Sequence, residues 1–277
     1  VSLACPLLAT PTFAEDVVAP YKDALFNYPQ PVASKDNGTF LDVPYSEKRD
    51  IDERDEIPER RARRAYVEVL PGALTNEAVL ETPQGALSWT RVSGSVTPAF
   101  VVLFVHGRNG DRRLGMNDWT FGGNFNRLKN LAVRSGGAYA TVDGGALGPD
   151  DTAKVRALVD SLKEELPKGQ IILACGSMGG ELCWKLMRQD SSRNVDGLVL
   201  LGSDSDEARF SSMLAARRSA PVPILIAHGT RDKVYPLTKQ MSFFEGIRRA
   251  RPSYPIRFVQ FDDGNHGTPI RMIDWKD

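Results

Sequence analysis

Residues 171–184 read "IILACGSMGGELCW". An apolar run ends in a cluster of small residues, and an amphipathic segment follows. That order describes a buried strand, a sharp turn and a helix. Two nucleophiles, Cys175 and Ser177, stand two residues apart in the turn. A sharp strand-to-helix turn exposes its central side chain at a helix N-terminus. It tolerates only small residues two places before and two places after that position. With Ser177 central, those neighbours are Cys175 and Gly179, and both are small. With Cys175 central, they are Leu173 and Ser177, and Leu173 is too bulky. The stretch therefore selects Ser177, and Cys175 reads as a small buried strand residue.

The same alternation extends outward. Apolar runs at "FVVLFVHG" (100–107), "AYATVDGG" (138–145), "VDGLVLLGS" (195–203), "VPILIAHG" (222–229) and "PIRFVQFDDG" (255–264) read as strands. Between them, "FNRLKNLAVRS", "DDTAKVRALVDSLKEEL", "DEARFSSMLAARRS" and "LTKQMSFFEGIRRARP" have helical spacing. Upstream, "AYVEVL" (65–70) and "GALSWTRV" (85–92) alternate as strands around a turn. Continuous apolar strands alternating with helices indicate a mostly parallel central sheet flanked by helices on both faces. Reactive groups in such sheets gather at the carboxyl ends of the strands. Standing there are His106-Gly107, Gly176-Ser177-Met178-Gly179, His228-Gly229-Thr230-Arg231-Asp232 and Asp262-Asp263-Gly264-Asn265-His266.

These four loops resemble those of the α/β-hydrolase-fold serine hydrolases, of the esterase-like, lidless kind. "CGSMGG" matches the nucleophile elbow and departs from G-x-S-x-G only at Cys175. "HGTRDKVYP" (228–236) resembles the family's acid-bearing loop, and "GNHG" (264–267) its histidine loop. The resemblance covers residues 65 to 277, and the order Ser177, Asp232, His266 is the family's. It implies that Ser177 is the nucleophile, His266 the general base and then acid, and Asp232 the group that orients the imidazole. Asp262 and Asp263 are alternative sources of the acid. The backbone N–H groups of Met178 and Arg108 would form the oxyanion hole, while His106 and His228 support their strand ends. Caps in this family follow the sixth strand. Here Asp204 to Ala220 leaves room for one helix, which implies no large cap domain and an open site. The implied activity is cleavage of a carboxylic ester or related acyl bond. An acyltransferase or peptidase on the same fold is one alternative, and a non-catalytic binding protein is another.

The loop "RNGDRRLGMNDWTFGGNF" (108–125) overhangs the serine. Arg112 and Arg113 are candidates for binding an anionic substrate group, and Trp119 and Phe121 for an acyl or sugar face.

Residues 15–64 carry scattered prolines and the run "EKRDIDERDEIPERRARR" (47–64). They read as an extended, charge-rich segment with little regular structure and a solvated, salt-bridged run. Residues 1–14 read as the remnant of a secretory leader cut after Ala14, which implies a periplasmic or secreted protein; the alternative, an apolar tail that is not a leader, implies a cytoplasmic one. A net charge of zero gives no bulk attraction to nucleic acid. No apolar run reaches the roughly 18 residues of a membrane span. Three scattered histidines give no metal cluster, and no dinucleotide fingerprint is present, so neither metal nor cofactor is expected. The implied substrate is a small-molecule or envelope acyl ester. Cys175 and Cys183 lie across a strand and the helix after it, and a bridge between them is not expected.

Overall fold

The computed structural model describes residues 18–217 and 221–277. The leader read at 1–14 lies outside the described residues. After a short helix α1 (Asp23–Phe26), the chain forms β1 (Ala33–Lys35) and β2 (Phe40–Pro44). A small separate ladder pairs β3 (Asp55–Glu56) with β4 (Arg61–Ala62). The main sheet resumes with β5 (Thr75–Leu80), β6 (Leu87–Ser93) and β7 (Phe100–Val105). Next come α2 (Arg112–Met116), α3 (Asn124–Arg134), β8 (Ala138–Val142) and α4 (Pro149–Glu165). The remaining units are β9 (Gln170–Gly176) with α5 (Gly179–Met187), and β10 (Gly197–Leu201) with α6 (Glu207–Ala216). They end with β11 (Ile224–Gly229) and α7 (Leu237–Ala250), then β12 (Ile256–Asp262) and α8 (Thr268–Met272). The ten-stranded sheet runs in the order β1-β2-β12-β11-β10-β9-β7-β8-β6-β5. Pairing is parallel from β2 through β8 and antiparallel at β8–β6, β6–β5 and β1–β2.

Strand side chains alternate between faces, and both faces are covered. On β7, Val101, Leu103 and Val105 join a core with Leu158 of α4, Leu182 and Trp184 of α5, Phe210 of α6 and Phe243 of α7. Val102 and Phe104 face Phe125 and Leu128 of α3 and Ile270 of α8. Two-sided burial is why these strands read as unbroken apolar runs. Among the described residues, α6 is the one helix between β10 and β11, so no large cap interrupts the sheet there.

The N-terminal part departs from the expectation of little regular structure. Residues 40–44 pair with β12 from Phe258↔Phe40 to Asp262↔Pro44, extending the parallel sheet by a strand. Val43 is fully buried there. The charged run is not wholly solvated either, because Asp50, Arg54 and Asp55 are buried. Asp55 accepts from Arg271 of α8 at 2.7 Å, and Arg271 also donates to the Asp50 carbonyl at 3.0 Å. Arg54 lies over the rings of Phe26 and Tyr66 and donates to the Gly122 carbonyl at 2.9 Å. Burial pulls the Arg54 guanidinium down to about 10. Short acidic and basic residues gave a hydrophilic pattern, but their partners lie far along the chain, out of reach of a local pattern.

The expected strand "AYVEVL" is also absent. Arg64–Tyr66 is a single 3₁₀ turn, and the outer strand falls at β5 instead. The backbone N–H of Glu68 donates to Asn126 Oδ1, and its carbonyl accepts from Asn126 and Asn130 of α3. Those side chains take the groups a neighbouring strand would need.

The buried Asp55–Arg271 pair should matter to stability, since removing one partner leaves the other charge uncompensated. Asp55→Asn should lower unfolding free energy by about 3 kcal/mol in urea titrations.

Candidate active site

Four strand-end loops meet where the parallel strands point. Ser177 follows β9 and has φ 51°, a left-handed conformation for a residue with a side chain. Its N–H donates to the Leu201 carbonyl of β10 at 2.9 Å. The turn is possible because its neighbours are minimal. A Cβ at Gly179 would lie 2.4 Å from the His106 carbonyl oxygen, and one at Gly180 would lie 2.5 Å from Ser203 Cβ. Backbone therefore packs directly on backbone at the start of α5.

Asp232 stands after β11 and His266 after β12. Ser177 Oγ lies 2.8 Å from His266 Nε2, and His266 Nδ1 lies 2.7 Å from Asp232 Oδ2. The other carboxylate oxygen, Oδ1, accepts from the N–H groups of Val234 at 2.7 Å and Tyr235 at 3.1 Å. Burial alone would raise the Asp232 carboxyl. The hydrogen bonds from His266, Tyr235 and Val234 outweigh it and hold the group below its ordinary 3.8. Asp262 and Asp263, the alternative acids, are exposed, and Asp263 pairs with Arg231.

The two other histidines are consumed by structure. His106 donates from Nδ1 to the Gly107 carbonyl at 2.7 Å and accepts at Nε2 from Gly144 N–H at 2.8 Å, so it is neutral. Gly110 N–H binds the same Gly107 carbonyl at 3.1 Å. A trans peptide points its N–H opposite its C=O, so the Arg108 N–H is turned away from that hydrogen-bonded corner. Among the described residues, neither Arg108 N–H nor Met178 N–H donates to another protein group. His228 is fully buried and donates from Nε2 to the Tyr235 carbonyl at 2.9 Å. Its Nδ1 has no partner, and burial lowers its pKa below 6.5 against the raising effects of that carbonyl and Asp232.

The loop after β7 holds its own side chains. Arg112 is tied to Asp143 at 2.6 Å, and Arg113 to Asp111. Trp119 stacks under Arg61, 3.4 Å from ring centroid to guanidinium, and Phe121 meets Phe125 edge-on at 5.8 Å. The structure thus engages these four candidates within the protein. Arg108, which the sequence reading took only for its backbone, has an exposed side chain with no ion pair among the described residues.

Cys175 and Cys183 form a disulfide, with Cα atoms 6.7 Å apart, contrary to the expectation from their spacing. The elbow reverses the chain, and α5 packs back over β9. Cys183, in the second turn of α5, therefore returns above Cys175 rather than moving away from it. Both residues are fully buried. Closing a loop this short is worth about 2–3 kcal/mol in unfolded-chain entropy. Cys175 remains the small strand-end residue the steric rule required.

No family model matches the chain, and no curated protein matches it. Solved structures do. An α/β serine hydrolase homologue from Coxiella burnetii aligns with TM-score 0.53 and 17% identity over 76% of this chain and 96% of that one. The feruloyl esterase module from Clostridium thermocellum, complexed with sinapinate, aligns with TM-score 0.58 and 14% identity over 76% of this chain and 89% of that one. A Pyrococcus furiosus esterase aligns with TM-score 0.55 and 15% identity over 76% and 91% of the two chains. The chain has the α/β-hydrolase fold.

Two outcomes follow from this geometry. Gly179→Ala forces a methyl group into the carbonyls of His106 and Val105. It should cost about 1–3 kcal/mol in thermal unfolding and abolish labelling of Ser177 by a fluorophosphonate. His228 has a lowered folded pKa, so on acidification the unfolded chain takes up its proton first, and stability falls as pH drops below 6.5. His228→Gln should flatten that part of the curve in urea unfolding measured between about pH 7 and about pH 5.

Proposed function

We propose that the chain is a serine hydrolase that cleaves a carboxylic ester through an acyl-enzyme. The observation that carries this reading is the unbroken line from Ser177 Oγ through His266 to Asp232, with spacings of 2.8 and 2.7 Å. A serine hydroxyl becomes nucleophilic when a base in contact removes its proton as it attacks. His266 Nε2 is that base. Its Nδ1–H is held by Asp232, which fixes the tautomer and stabilises the imidazolium. The attacked carbonyl gains negative charge, which the free N–H groups of Met178 and Arg108 would receive. His266 then returns the proton to the leaving alcohol. Water repeats the sequence to release the acid.

The lack of a large cap and the exposed Arg108 beside the elbow favour a water-accessible ester carrying an anionic group over a long-chain lipid. The protein works in an oxidising compartment, the periplasm or the medium. The apolar segment ending at Ala14 and the Cys175–Cys183 disulfide both support that placement.

A fluorophosphonate should label the wild-type protein and leave Ser177→Ala unlabelled. Ser177→Ala should lose on the order of 10⁴-fold or more in kcat on a short-chain ester such as p-nitrophenyl acetate. Labelling that persists in Ser177→Ala would place the nucleophile elsewhere. A wild-type protein that neither labels nor turns over would sink the hydrolase reading.

A further inference from the structure

The elbow carries an arrangement that packing alone does not explain. Gly179 and Gly180 open α5, and neither can carry a side chain, because a Cβ would strike His106 and Val105 carbonyls in one case and Ser203 in the other. Two adjacent glycines weaken the first turn of a helix and leave its first two positions without side chains to grip the sheet. Yet the Met178 N–H and the position of Ser177 depend on how that turn sits on β9. Ser177 itself is held in a left-handed conformation that its surroundings must enforce. The disulfide lies at this point. Cys175 is paired on both sides, to Val105 of β7 and to Leu200 of β10, so one end is anchored in the centre of the sheet. Cys183 lies one turn beyond the glycines. The nucleophile, the oxyanion donor and both glycines fall inside the closed loop.

We infer that the Cys175–Cys183 disulfide is a positioning device for the elbow: it holds the glycine-opened start of α5 against β9 so that Ser177 and the Met178 N–H keep their reactive geometry. The cross-link acts through Ser177 and Met178 and touches no substrate. This assignment rests on the hydrolase reading for its kinetic consequence. Its structural consequence, local loosening of residues 176–186 when the bond is cut, does not.

The test compares the oxidised protein with the same protein reduced by dithiothreitol during refolding, and with Cys175→Ala/Cys183→Ala, all well below their melting temperatures. Alkylation of the unreduced, denatured protein should leave Cys175 and Cys183 unmodified. In the reduced protein and the double variant, amide hydrogen exchange should speed up over residues 176–186 and stay unchanged in β7, β10 and β11. On p-nitrophenyl acetate, kcat should fall on the order of tenfold or more with KM within about twofold. Fluorophosphonate labelling should slow in parallel, and reoxidation of the reduced wild type should restore both. Free thiols at both positions in the protein as isolated would overturn the assignment. So would unchanged kcat with only a lower melting temperature, exchange that rises evenly through the sheet, or loss of the fold in both uncross-linked forms. If the oxidised protein turns over no ester and takes no label, the hydrolase reading fails, and the exchange pattern alone decides the clamp.

Discussion

The left-handed turn at Ser177 is the constraint on which the rest depends. To hold an L-residue at φ 51°, the chain must pass between β9 and α5 with no room to spare. That forces glycine at 179 and 180, a small residue at 175, and close approach of the His106 and Val105 carbonyls to the start of the helix. The strand order then delivers the partners. β10 and β11 lie beside β9 in sequence order, β12 follows, and Asp232 and His266 stand at the ends of β11 and β12. The short distances between the three side chains are thus a property of the parallel sheet and the strained turn at Ser177.

The same corner shows how few histidines the arrangement needs. His106 spends both ring nitrogens fixing the loop that presents the Arg108 N–H. His228 spends one on the Tyr235 carbonyl, and the Tyr235 N–H in turn binds Asp232. Both are buried and neutral. Of the three, His266 is the one that presents a ring nitrogen to the serine.

Much of this was legible in the sequence because it is local. Small residues around Ser177, glycine at strand ends and apolar runs of strand length are all short-range demands of backbone geometry. The mostly parallel sheet followed from the same patterns, and the missing cap from the resemblance to the α/β hydrolases. What could not be read depends on partners distant in sequence. The strand at 40–44 exists because β12 offers an edge to it, 218 residues away at the Gln260–Asp42 contact. Asp55 hides in a hydrophilic run because Arg271 reaches it. Glu68 is drawn out of a strand by the amides of α3. The disulfide was missed for a different reason: counting residues along a strand and a helix treats them as collinear, whereas the elbow folds one back upon the other. The signal was present, because a turn sharp enough to expose Ser177 is sharp enough to bring Cys183 back to Cys175.

The pairing of β2 with β12 has a consequence for how the chain is made. Synthesis runs from the N-terminus, so β2 emerges well before the strand it pairs with, 218 residues earlier at the Gln260–Asp42 contact. The ion pairs that tie early residues to late ones, Arg127 with Asp274 and Arg271 with Asp55, must wait as well. A growing chain therefore carries a strand with one open edge and unmet buried charges until β12 and α8 have emerged. The central strands can assemble as they arrive, but the β1–β2 side of the sheet joins them only once β12 is present. Because His266 lies between β12 and α8, the histidine can reach the serine only once the strand that pairs with β2 has been made.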